Sequence, residues 1–312
     1  MGLRTVDADH NRPLRLIMEG LHSCSGCEMA FLNIGEPLMD LLERLELVHM
    51  PLLMDHKYRG PGEDGEEIQL PRADIGLVSG AVATREQQRL LETLRDRCEI
   101  LVALGTCATH GGIPAMMNEW GMEAGTALLG DSSSSVSPVL DRVYAVDELV
   151  VVDLLVPGCP PRPQMMAGVL TALLEGKEVV QPTRSVCDTC PTRRQGKGEV
   201  RRLKRLLRNC RFNARQPVDR MRCLLEQGFL CLGPVTAAGC ADETAPACMN
   251  ARVACRGCFG PVRREGNQMV DMMNGLASNG IDYRSLPDRR SLLRFSGAHG
   301  RLRPLKKRGK ND

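Results

Sequence analysis

EILVALGTCATHGG, residues 99–112, decides how this chain is read. After one acid, its first half is an apolar run of the length of a strand buried on both faces. Its second half turns glycine-rich and sets Cys107 just past the run. Strands buried on both faces belong to parallel sheets covered by helices. Such sheets bind ligands beyond the carboxyl ends of their strands, so Cys107 stands where a ligand is expected.

The pattern repeats outward. Further apolar runs are LRLIMEGL (14–21), LELVHMPLL (45–53), ADIGLVSGAV (73–82) and VVVDLLVPG (150–158). Helical periodicity follows in EMAFLNIGEPLMDLLERL from Glu28, TREQQRLLETLRDRC from Thr84 and RPQMMAGVLTALLEG from Arg162. Helices interleaved with buried strands predict an α/β fold, a flavodoxin-like doubly wound parallel sheet, over residues 1–180. Within 123–149, DSSSSVSP reads as a loop. GKEVVQPTRS (176–185) reads as a linker.

Beyond the linker strands are hard to find, and nine of the fourteen cysteines crowd into residues 187–258. A small region with few residues for a core is often held by metal. The expected second domain is therefore cysteine-rich, with little regular sheet, over 187–275. A C-terminal extension and basic tail follow over 276–312.

Composition narrows the function. The net charge of +3 is too small to imply nucleic acid. Aromatic residues, at 3%, are too few for base-stacking platforms. No apolar run reaches the roughly 18 residues of a membrane span. The start, MGLRTVDADHNRP, has no apolar core of an export signal, so the expected location is cytoplasmic, with thiols reduced or metal-bound.

Cys24 and Cys27 follow the first expected strand, Cys107 the fourth and Cys159 the fifth. The topology gathers all four at one sheet edge. Four converging thiolates suit a 4Fe–4S cluster or a zinc ion. A lone C-x-x-C pair also fits a redox dithiol or simple packing, but a dithiol has no use for Cys107 and Cys159. A flavin at this edge would have to share the space with four thiolates. Gly26, Gly105, Gly111, Gly112 and Gly158 let backbone approach sulfur, and Pro160 and Pro161 stiffen the loop of Cys159. His22 and His110 read as outer donors or surface residues. Cys98, ending a helical pattern, reads as a buried small apolar residue.

CSGC (24–27), GTCATHGG (105–112) and PGCPPRP (157–163), in this order, resemble the small subunit of nickel–iron hydrogenases and its relative, the cluster-carrying subunit of complex I. The complex I subunit has adjacent cysteines where Ser25 and Gly26 separate Cys24 from Cys27 here, and it lacks a cysteine-rich second domain. That domain here reads VCDTCP, RCLLEQGFLCLGPVTAAGC and ACMNARVACRGC, and it resembles the C-terminal iron–sulfur domain of the longer hydrogenase small subunits.

The resemblance implies three 4Fe–4S clusters. The proximal one falls to Cys24, Cys27, Cys107 and Cys159. The distal one falls to Cys187, Cys190, Cys223 and Cys231, with Cys187 where membrane-linked and periplasmic forms carry a His. The medial one falls to Cys240, Cys255 and Cys258, with Cys248 as an additional fourth. Cys98 and Cys210 are left over. These departures resemble the cytoplasmic hydrogenases, especially the methyl-viologen-reducing, heterodisulfide-reductase-linked group.

The implied partner is a nickel–iron large subunit that does the bond chemistry, so no catalytic residue is assigned in this chain. The implied acceptor is an iron–sulfur or flavin protein. The stretch with Arg201, Arg202, Lys204, Arg205, Arg208, Arg211 and Arg215 reads as an acidic-partner dock or a solvated face. The competing classes are a zinc-stabilised interaction protein and a complex I-type quinone reductase subunit.

Overall fold

The computed structural model describes residues 12–58, 68–121, 137–180, 182–196, 200–204, 210–211, 215–242, 244–286 and 288–304. Arg205, Arg208, most of DSSSSVSP and the last eight residues of the basic tail lie outside them. The chain divides into two compact units, Met1–Val180 with Gly297–Asp312, and Gln181–Ser296.

The first unit is built on a five-stranded sheet. Its strands are β1 (Leu14–Gly20), β2 (Leu45–His49), β3 (Ala73–Ser79), β5 (Cys98–Leu104) and β7 (Leu154–Val156), in the order β2-β1-β3-β5-β7. Every pairing is parallel. This is the expected sheet, and all five apolar runs supply a strand. The strands are shorter than the runs, because backbone leaves the ladder at Met50, Gly80 and Gly105 to form the functional edge.

The period of two along each strand sorts side chains to opposite faces. Leu16 and Met18 of β1, Ile75 and Leu77 of β3, and Ile100, Val102 and Leu104 of β5 share one core. That core is covered by α1 (Gly26–Leu32), α2 (Glu36–Leu42) and α5 (Pro163–Leu174). Ile17, Val78, Leu101 and Ala103 point the other way, against Leu91 and Leu94 of α3 (Arg85–Arg97). Helices on both faces make the sheet doubly wound.

Local chemistry sets the helix ends. Thr84 caps α3: its hydroxyl accepts the N–H of Gln87 at 3.3 Å while the Gln87 side chain accepts the N–H of Thr84 at 3.2 Å. At the other end Arg95 complements the helix dipole and donates to the carbonyls of Cys98 (2.6 Å) and Glu99 (2.8 Å). Pro163 opens α5, where a missing N–H costs nothing.

One expectation needs correction. The pattern from Glu28 is two helices, because the chain breaks at Asn33–Gly35 and Gly35 takes a φ of 80°. In GTCATHGG, Gly105–His110 wind into a short helix, α4, which carries Cys107. A further antiparallel pair, β4 (Val82–Thr84) with β6 (Val139–Tyr144), was not anticipated, since β4 is too short to show a period.

The second unit has no extended sheet among its described residues. Short 3₁₀ turns, the helix Ala247–Asn250 (α6) and α7 (Gln268–Ser278) enclose a core of Leu224, Phe229, Leu232, Met272, Leu276 and Leu292. Asn267 caps α7, accepting from the N–H groups of Met269 (3.0 Å) and Val270 (3.3 Å).

Candidate metal centres

At the carboxyl edge of the sheet, β1 runs into the turn that carries Cys24. Ser25 there takes a left-handed φ of 59° and opens α1, so Cys27 falls in the first helical turn. β5 runs into α4 and Cys107, and β7 runs into the loop of Cys159. Two hydrogen bonds, each 2.8 Å, clamp the last two segments: Thr106 N–H to the Gly158 carbonyl, and Gly158 N–H to Thr106 Oγ1.

The four thiols gather there. Cys27 lies within electrostatic reach of Cys107, Cys159 and Cys24, and Cys107 and Cys159 both sense Cys24. Glycine makes the approach possible. A Cβ on Gly105 would collide with Cys27 Sγ, and one on Gly112 would stand 2.6 Å from Cys107 Sγ.

Burial, then Glu28 and the neighbouring thiols, push Cys27 well above the ordinary thiol range. Burial and Cys159 push Cys107 up to about 11, against a bond from the Ile113 N–H. Thiols so crowded resist ionising together. A bound cationic core removes that obstacle, since it supplies the charge that thiolates require.

In the second unit Cys187 senses Cys231, Cys223 and Cys190, and Cys231 senses Cys223 and Cys190. Burial, then Cys231, drive Cys187 up to about 12. Burial drives Cys231 up to about 11, against N–H groups of Gly233 and Cys255 that bond its sulfur. Cys255 senses Cys231, Cys248 and Cys258, and Cys240 packs against the same core. The thiols of the described residues form no disulfide.

Among the described residues no three His, Cys, Asp or Glu side chains form a group sized for a single metal ion. A four-iron cluster asks for a different arrangement. Each thiolate binds its own iron at a separate corner, so the sulfurs ring a void instead of meeting at a point.

The two leftover cysteines sit otherwise. Cys98 is buried in the α3-side core, where a Cβ on Gly76 would reach its sulfur at 2.6 Å. Cys210 Sγ donates to Gln227 Oε1 at 3.5 Å. His22 is exposed and joins Ala81 through backbone only. His110 is buried, with Nδ1 2.7 Å from Thr109 Oγ1 and its ring 6.4 Å from that of His299.

Sequence reasoning missed Glu28. It is buried beside Cys27, takes a hydrogen bond from Ser79 Oγ on one oxygen, and has no partner on Oε2. An acid directly after C-x-x-C, on the apolar face of a helix, was the signal available.

The architecture matches that of hydrogenase small subunits. A chain of the Dm. baculatum [NiFeSe]-hydrogenase superposes with a TM-score of 0.51 at 20% identity, over 80% of this chain and 95% of that one. A family model described as NADH ubiquinone oxidoreductase, 20 Kd subunit, matches residues 24–173.

Sequence relatives are more specific. The chain is 32% identical to the F420-non-reducing vhu hydrogenase subunit of Methanococcus voltae, over 90% of this chain and 93% of that one. It is 34% identical to the iron-sulfur subunit of the F420-non-reducing hydrogenase of Archaeoglobus profundus, over 77% of this chain and 79% of that one. The chain belongs to the nickel–iron hydrogenase small-subunit family, within the group of the F420-non-reducing, methyl-viologen-reducing hydrogenases. It is a hydrogenase subunit, and no helix among the described residues is long and apolar enough to cross a membrane.

Proposed function

We propose that this chain carries electrons between a nickel–iron large subunit and an acceptor protein through three 4Fe–4S clusters, in the cytoplasm. Cys24, Cys27, Cys107 and Cys159 hold the proximal cluster. Cys240, Cys248, Cys255 and Cys258 hold the medial one, and Cys187, Cys190, Cys223 and Cys231 the distal one. The observation that carries this is the mutual approach of Cys24, Cys27, Cys107 and Cys159 at one sheet edge from three separate strands. Bound there, a cluster takes up and releases single electrons.

The chain's own residues do the rest. They supply thiolates, aim N–H groups at sulfur and exclude water, which together set the potential. The acceptor is an iron–sulfur or flavin protein, and on family resemblance it is linked to heterodisulfide reductase.

The test is metal and acid-labile sulfide analysis of the anaerobically purified chain, with paramagnetic resonance after stepwise reduction. Three clusters give roughly twelve irons per chain with matching sulfide. Zinc without sulfide would sink the proposal.

A further inference from the structure

We propose that a cation-rimmed pocket in the second unit docks an acidic segment of the protein that takes electrons from this chain. This rests on the electron-transfer reading above and names the acceptor's chemistry. The pocket has a volume of about 250 Å³. Its walls are apolar at Phe229 and Leu292, and Cys255 forms part of its lining. Lys204, Arg256 and Arg294 also line it, and no carboxylate does.

Among the described residues none of these three cations is in an ion pair; Lys204 lies 5.5 Å above the Phe229 ring. Three like charges held together without counter-charge favour an anionic occupant.

The wider charge distribution agrees. Residues 181–296 carry 21 Lys and Arg against 10 Asp and Glu, whereas the remainder carries 20 against 28. The modest overall charge hides one strongly basic unit. The volume selects the class of occupant. It lies at the small end of the roughly 300–1,000 Å³ of pockets that enclose a drug-sized ligand, room for one or two side chains. A partner loop that lays an apolar side chain on Phe229 and Leu292 and sets carboxylates against the rim satisfies both features.

Because Cys255 lines the pocket and its N–H bonds Sγ of Cys231, 3.4 Å away, a seated partner lies close to a ligand of the proposed distal cluster, from which electrons leave. The step is a one-electron transfer: the reduced cluster loses one electron and the partner's oxidised centre gains it. No bond breaks and no proton moves. Dihydrogen oxidised in the large subunit is the reductant.

The test uses the complex of this chain with its large subunit under dihydrogen. Two oxidants are compared, methyl viologen and an oxidised, acidic plant-type [2Fe–2S] ferredoxin. In a Lys204→Glu, Arg294→Glu double variant, ferredoxin reduction at low ionic strength falls at least tenfold, and the difference narrows as salt is raised. Viologen reduction does not fall. If the double variant loses iron, Ser291→Trp, which narrows the same pocket without adding charge, carries the same expectation.

Equal ferredoxin rates in variant and parent, with viologen reduction intact, overturn the proposal. So does tight binding of flavin mononucleotide by the parent that the double variant loses, which would assign the pocket to a nucleotide. Absence of viologen reduction by the parent complex would instead sink the electron-transfer reading itself.

Discussion

The backbone N–H of Cys255 points at Cys231 Sγ, 3.4 Å away. The two cysteines belong to different clusters in the proposed assignment, so one hydrogen bond joins them. Leu232 N–H in turn bonds the Cys255 carbonyl at 3.0 Å, which locks the two segments together. Gly233 lies at this junction: a Cβ there would stand 3.0 Å from Cys187 Sγ and 3.6 Å from Cys231 Sγ.

Gly233→Ala therefore presses on the sulfurs of the distal set and loosens the N–H bonds to Cys231. Weaker hydrogen bonding to sulfur leaves more negative charge on the cluster and lowers its potential. Redox titration followed by paramagnetic resonance should find the distal signal shifted to lower potential, with the proximal signal unmoved.

Glu28→Gln tests the buried acid beside Cys27. Removing a negative charge from the neighbourhood of the proximal cluster eases its reduction. The proximal potential should rise in the same titration, while Ser79 retains an acceptor for its hydroxyl. An unchanged potential would mean that the Glu28 charge does not reach the cluster.

Cys107→Ala removes a proposed proximal ligand. Dihydrogen-driven dye reduction by the complex should collapse while the second-unit clusters still assemble. Near-normal turnover with full iron content would show that Cys107 is no ligand.

Cys248→Pro should convert the medial cluster to a three-iron form at raised potential, visible by paramagnetic resonance after oxidation. The substitution is mild for the backbone, because Cys248 lies in the first turn of Ala247–Asn250, where a helical N–H has no partner. Cys98→Ala and Cys210→Ala should leave every cluster signal intact, at a cost of a few kcal/mol at most.

Proton release offers a check that needs no activity. Burial and neighbouring thiols hold Cys107 near 11 and Cys187 near 12, so both are protonated thiols at neutral pH in the cluster-free chain. Ligation requires thiolates and displaces those protons, so cluster affinity rises with pH and falls with acid. With folded values near 11 and 12 the rise continues without a plateau from pH 7 to pH 9. Reconstitution from iron and sulfide in a weakly buffered dye solution should acidify the medium and proceed further at pH 9 than at pH 7. Equal uptake at both pH values would argue against thiolate ligation.

The five strands were legible in the sequence because their signals are local. An apolar run such as EILVALG marks a buried strand by its own composition. Cysteine positions relative to such runs then follow from the rule that open parallel sheets bind ligands at one edge. The flanking motifs were specific enough in combination to resemble a single family.

Other features depend on residues distant in the chain. Gly105 matters because Cys27, from helix α1, stops where a Cβ would be, and nothing in GTCATHGG names that neighbour. Glu28 gains its role from Ser79 on β3 and from burial, not from its place in CSGCE. The pocket rim draws Lys204, Arg256 and Arg294 from three segments, and only folding turns three scattered charges into one site. Composition and period act along the chain and determine which elements form. Close approach and electrostatic summation act through space, so the meeting of sulfur, glycine, carboxylate and cation is decided by the tertiary structure alone.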